Sequence, residues 1–153
     1  MLRIVKSDGP PRVVIVLTED VVREVLEDEL REFSHSTGKY VVTSDIVVAE
    51  RAIAAAHAAS AREAVLLVTD DVFGNPDAVR GLVTRAKAAH KHLTPVFFSW
   101  RVSKEEDEQP FPHPDLFHAY ISRGVGGRAF SKPITTLVDQ FCMAMPIPVS
   151  VVG

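Results

Sequence analysis

The feature that most constrains the fold is a series of five short apolar runs, each followed by a segment with helical periodicity. The runs are rich in valine, leucine and phenylalanine, and most lack the alternating polar residues of a strand with one face in water. Such runs are typical of parallel sheets covered by helices on both faces. We therefore predict an α/β protein with a doubly wound, five-stranded parallel sheet in a three-layer sandwich.

The predicted elements alternate along the chain. The predicted strands are 12–17, 39–43, 64–69, 94–100 and 127–132. The predicted helices are 18–33, 47–61, 75–92, 114–124 and 133–144. Thr43, Ser44 and Asp45 offer caps for the second helix, and Pro133 suits the first turn of the last one.

Composition, net charge and cysteine content limit the classes of protein to which the chain can belong. The 153 residues favour one domain, and 46% apolar with 24% charged residues is the balance of a globular protein. A net charge of −3 predicts neither a nucleic-acid surface nor a membrane-binding patch. One cysteine excludes an internal disulfide. No apolar run reaches roughly 18 residues, and the first residues lack the apolar core of a signal peptide. These features predict a cytoplasmic protein.

Polar residues end four of the predicted strands. Glu19 and Asp20 follow the first, Asp70 follows the third, Ser99 lies in the fourth and Lys132 ends the fifth. Parallel sheets bind ligands outside the carboxyl ends of their strands, so these side chains are candidates for one site. Carboxylates suit a hard cation such as Mg²⁺, and a lysine with a hydroxyl suits a phosphoryl group.

Three motifs give a more specific prediction. The motifs are "SKPI" after "GRAF", "DDVFGNPDAVRGL", and Ser99 after "PVFF", and along the chain their key residues come in the order Asp70, Ser99, Lys132. Over about 12–143 the chain resembles the receiver domain of two-component response regulators, whose fold is flavodoxin-like. The resemblance implies that Asp70 accepts a phosphoryl group from the phosphohistidine of a histidine kinase, with Mg²⁺ at Glu19, Asp20 and Asp70. It also implies that Ser99 and Lys132 bind the phosphate, and that the Lys132–Pro133 peptide bond is cis.

The chain departs from that family at three places. Alignment of the first helix puts Leu17 and Thr18 at the family's acidic pair, and only a shift restores Glu19 and Asp20 to it. Trp100 stands where the family usually has Ala or Gly, and Ala129 stands where it often has Tyr or Phe. We therefore expect phosphorylation of Asp70 to be weak or absent. The chain would then work mainly through constitutive protein contacts, and any chemistry would be limited to gain and loss of a phosphoryl group.

Several of these residues have plainer interpretations. Asp70 and Asp71 are also common turn formers, and Glu19 and Asp20 favour a helix N-terminus without any metal. The histidines, His90 among them, show no zinc spacing and are interpreted as surface residues. Cys142 lies among apolar neighbours and is expected to be a buried, inert thiol.

The predicted organisation is an N-terminal extension at 1–11, a receiver-like domain at 12–145, and an apolar tail or start of a linker at 146–153. The apolar residues of the last helix and the tail predict a homodimer or a contact with a signalling partner. The alternative is the N-terminal wing domain of a pyridoxal-phosphate-dependent basic amino-acid decarboxylase. It ranks second because that family lacks the lysine-proline motif.

Overall fold

The computed structural model describes residues 12–32, 40–72, 75–99, 115–122 and 132–142. Within them, five strands form one sheet and four helices pack on it. The strands are β1 Val13–Val16, β2 Tyr40–Thr43, β3 Val65–Thr69, β4 Leu93–Ser99 and β5 Ala119–Ser122. The helices are α1 Asp20–Glu32, α2 Ile46–Ala59, α3 Pro76–Ala89 and α4 Lys132–Cys142.

The sheet is parallel throughout, with the strand order β2-β1-β3-β4-β5. Its two faces carry separate apolar clusters because successive side chains of a strand point to opposite sides. Val13 and Ile15 join the cluster under α1 and α4, whereas Val14 and Val16 join the cluster under α2 and α3. The result is the flavodoxin-like three-layer sandwich, so the predicted fold class is confirmed.

Local capping fixes where two of the helices begin. Asp45 caps α2 and accepts a hydrogen bond from the Val47 amide at 2.8 Å, as the sequence predicts. Asn75 caps α3 in the same way, accepting from the Ala78 amide at 3.1 Å. Both helices therefore start at the carboxyl edge of the sheet, beside the predicted site.

The prediction was wrong about the fifth strand. β5 lies at Ala119–Ser122, inside the segment predicted as a helix, and pairs in parallel with the end of β4. Its neighbours show why: Ala119 and Ile121 belong to one apolar cluster, and Phe117 and Tyr120 to the other. A segment that is buried on both faces fits this sheet even as its edge strand, and pairing with β4 overrides a short helical pattern. The segment predicted as a strand lies outside the described residues except for Lys132.

Lys132 begins α4 and does not end a strand. The described residues contain no cis peptide bond, so the predicted cis bond before Pro133 is also wrong. Pro133 instead occupies the first turn of a helix, where its missing amide hydrogen costs little.

None of the described helices has both the length and the apolar character needed to cross a membrane.

Candidate functional site at the carboxyl edge of the sheet

Asp70 follows β3 and lies at the centre of the candidate site. Its side chain is fully buried, and both carboxylate oxygens accept hydrogen bonds from protein donors. Oδ2 accepts from the Thr18 amide at 2.8 Å and from the Thr18 hydroxyl at 2.9 Å. Oδ1 accepts from the Val72 amide at 2.9 Å. We call this group of Asp70, Thr18 and Val72 the Asp70 clasp, because it joins the end of β1 to the turn after β3.

The sheet register puts the members of the Asp70 clasp together. Val16 of β1 lies opposite Thr69 of β3, so the residues that follow these two leave the sheet side by side. The Asp70 amide still donates to the Val16 carbonyl at 3.1 Å. Thr18 then comes within reach although it is 52 residues away in the sequence. The clasp therefore depends on correct pairing of β1 with β3.

Val72 has an unusual backbone conformation, with a φ of 47°. A β-branched residue in this region is strained, at a typical cost of about 1–3 kcal/mol. Its side chain is buried in the cluster under α2 and α3, and its amide binds Asp70. Burial and this hydrogen bond together hold the turn in its strained form, so the carboxylate and the turn stabilise each other.

Glu19 and Asp20 do not join the Asp70 clasp. Both are exposed, and Asp20 forms an ion pair with Arg23 one turn further along α1. Arg23 also donates to the Leu17 carbonyl at 2.8 Å, which holds this pair at the start of the helix. The two carboxylates therefore serve the N-terminus of α1, where negative charge is favourable.

The predicted magnesium ligands do not fit a metal site in this conformation. Among the described residues, no group of three or more His, Cys, Asp or Glu side chains is arranged to hold a metal ion. Three of the roughly four lone-pair sites of the Asp70 carboxylate are directed at N–H and O–H donors, whose hydrogens carry partial positive charge. Glu19, Asp20 and Asp70 are thus not brought together as a ligand set.

Ser99 and Lys132 are placed differently from each other. Ser99 is buried at the end of β4, level with Ser122 of β5. Lys132 is exposed, and none of the ion pairs formed among the described residues includes it. The donors to Asp70 are Thr18 and Val72, not these two residues. Trp100 and Ala129 lie outside the described residues.

Two residues outside the site differ from expectation. His90 is fully buried and is not a surface histidine. Cys142 is exposed near the end of α4 and is not a buried thiol. Desolvation, and then the nearby Asp139, raise the pKa of the Cys142 thiol, which keeps it in its unreactive protonated form at neutral pH.

Comparison with protein-family models, with curated proteins and with solved structures finds no match for this chain.

Proposed function

We propose that this chain is a receiver-like signalling domain that works through constitutive protein contacts, with phosphorylation of Asp70 weak or absent. The observation that carries the proposal is the state of the Asp70 carboxylate. It is fully buried, and three hydrogen bonds occupy its two oxygens. A carboxylate in this state acts as a structural link between two turns.

The position of Thr18 supports this view. The resemblance to receiver domains aligns Leu17 and Thr18 with the acidic pair that holds the metal in that family. In this chain Thr18 instead supplies two donors to Asp70, through its amide and its hydroxyl. A direct hydrogen-bond partner thus stands where the family has a ligand for the cation. A threonine at this position therefore supplies no carboxylate for a cation and instead completes the Asp70 clasp.

Phosphoryl transfer would require Asp70 to leave the clasp. Oδ1 accepts one hydrogen bond and keeps a second lone pair, but it is buried, so attack needs a path for the phosphate donor and a cation to neutralise the developing charge. A hydrogen bond to a charged group contributes about 1.5–3 kcal/mol, so a state with several such bonds broken is rarely populated. We therefore expect transfer to Asp70 to be slow even with excess donor.

Exposed apolar residues near the same edge support a role in protein contacts. Val21, Val47 and Val48 are 67%, 51% and 41% exposed. They lie in the first turns of α1 and α2, which follow the neighbouring strands β1 and β2. Single exposed apolar residues are common, but three in the first turns of helices that begin at the same edge of the sheet, on its two faces, favour a contact surface at that edge. The proposed partner is a signalling protein such as a histidine kinase, or a second copy of the chain.

The apolar side chains of α4, which were expected to form a contact surface, are largely buried in the core. Ile134, Leu137 and Val138 are buried in the cluster that α4 shares with α1. Phe141 also packs against that cluster. The apolar side chains of this helix thus serve the core, and the tail at 146–153 lies outside the described residues. We therefore place the proposed contact at the starts of α1 and α2.

The test is incubation of the protein with acetyl phosphate and Mg²⁺, followed by measurement of its intact mass. We expect the wild-type chain to show little or no phosphoryl adduct, because the Asp70 carboxylate is occupied and buried. The same sample without Mg²⁺ should give the same spectrum.

Two variants make the assay specific. Asp70→Asn removes the proposed acceptor, and Asp71→Asn changes the exposed neighbouring carboxylate while leaving the clasp in place. A stoichiometric adduct on wild type and Asp71→Asn, absent from Asp70→Asn, would show an ordinary phospho-switch and defeat the proposal.

A further inference from the structure

A pair of histidines lies at the opposite edge of the sheet from the Asp70 clasp. His57 is in the last turn of α2, and His90 follows the end of α3 as its C-terminal cap. Their Nδ1 atoms are 3.2 Å apart, and the rings meet edge to face with centroids 5.4 Å apart. His90 is fully buried. The pair therefore joins the C-terminal ends of two neighbouring helices.

The second nitrogen of His90 fixes the positions of the hydrogens. His90 Nε2 is 2.6 Å from the carbonyl oxygen of Glu63, which can only accept. Nε2 must therefore carry a hydrogen, and a neutral His90 has a lone pair on Nδ1. His57 Nδ1 then donates to that lone pair. One hydrogen lies between the two rings, and there is no room for a second.

Among the described residues, charged and titratable groups near His90 come from several segments of the chain. His57 belongs to α2, and Glu63 lies between α2 and β3. Arg12 precedes β1, and His92 lies between α3 and β4 with its ring centroid 6.3 Å from that of His90. Arg12 pairs with the Glu63 carboxylate, yet its Nη1 is buried without a hydrogen-bond partner among the described residues. The surroundings of His90 therefore disfavour an added positive charge.

We propose that His57 and His90 form a pH-sensitive latch, which holds the ends of α2 and α3 together while His90 is neutral and is released when His90 gains a proton. A proton on Nε2 of His57, which is exposed, leaves the contact intact and makes its donor stronger. A proton on Nδ1 of His90 places two N–H groups against each other. It is therefore protonation of His90 that breaks the contact between the two rings.

The direction of the pH dependence follows from the same surroundings. Burial lowers the pKa of His90 from its ordinary value, and the nearby His57, His92 and Arg12 lower it further. The unfolded chain then binds a proton at a higher pH than the folded chain does. The stabilisation from neutral His90 is complete above the ordinary pKa of about 6.5. It is lost as the pH falls from there through the lowered pKa of the folded state.

The experiment is urea unfolding of the full chain near pH 7.5 and near pH 5.5. The folded-to-unfolded ratio of the wild type should fall at the lower pH, and His90 should account for at most about a tenfold loss. His90→Gln should lack this component, because a glutamine amide can still donate to the Glu63 carbonyl but does not titrate. His92→Gln removes a neighbouring exposed histidine and should keep most of the wild-type pH dependence.

A second measurement does not depend on the variant being folded. Nitrogen chemical shifts of the wild-type His90 ring should show a neutral ring with hydrogen on Nε2 near pH 7.5, and in the folded protein they should change at a lower pH than those of an ordinary histidine. Amide exchange in the last turns of α2 and α3 should increase as His90 gains its proton. Parallel pH curves for wild type and His90→Gln, or an ordinary titration of His90 without faster exchange in those turns, would overturn the proposal.

Discussion

Replacing Asp70 with alanine should lower the free energy of unfolding by about 3–5 kcal/mol, because several neutral donors then lose their acceptor. The change leaves the Thr18 amide, the Thr18 hydroxyl and the Val72 amide without their acceptor in a buried region. A buried donor without a partner typically costs about 1–3 kcal/mol, although the hydroxyl can rotate to reduce its share. Val72 also loses the hydrogen bond that helps hold its strained φ of 47°.

Asp71→Ala is the matched control for this measurement. Asp71 is the next residue in the chain and its side chain is exposed, so its replacement should change stability by no more than about 0.5 kcal/mol. Denaturant unfolding of the three proteins gives the comparison. Equal stability of Asp70→Ala and the wild type would mean that the carboxylate has no structural role.

The second large effect is expected in the core. Phe98 is fully buried in β4, which lies between β3 and β5, and it belongs to the cluster under α1 and α4. Phe98→Ala should lower the free energy of unfolding by about 3–5 kcal/mol, because the lost contacts and the remaining cavity both contribute.

Val21→Ala provides the contrast for Phe98. Val21 is 67% exposed, so its truncation should change stability by no more than about 0.5 kcal/mol. Denaturant unfolding again measures both variants. Similar losses for the two would show that β4 is not a central, fully covered strand.

The fold class could be predicted because the same pattern, an apolar run next to an amphipathic segment, recurs along the chain. Each of β1, β3 and β4 is an apolar run that is buried on both faces, and each is followed or preceded by an amphipathic helix. The cap at Asp45 could also be predicted, because a short acceptor before a helix is a local feature. The position of β5 could not, since four residues that join a sheet have the same composition as one turn of a buried helix.

The details of the site were harder to predict because they depend on contacts between distant residues. The sequence identified Asp70 as a strand-end carboxylate but did not show what occupies it. Thr18 resembles any hydroxyl residue after a strand, and only the pairing of β1 with β3 places it on Asp70. A correct prediction of how β1 pairs with β3 would have placed Thr18 beside Asp70.

His90 shows the same limit at the other edge of the sheet. Both His90 and His92 were predicted to lie on the surface because neither has partners at zinc-ligand spacing, and His92 is indeed exposed. His90 turns inward because its amide caps the end of α3 and its ring reaches the Glu63 carbonyl. Spacing along the chain does not encode that carbonyl's position.

The most direct test of the central claim is a double-mutant cycle between Thr18 and Asp70. Thr18→Val removes the hydroxyl at nearly constant shape, Asp70→Ala removes the carboxylate that accepts from it, and the double variant completes the cycle. If the hydroxyl and the carboxylate stabilise each other, the two losses in unfolding free energy should fail to add by about 1 kcal/mol or more. Losses that add to within about 0.3–0.5 kcal/mol would show that the two side chains do not interact, and would contradict the account of Asp70 as a structural clasp.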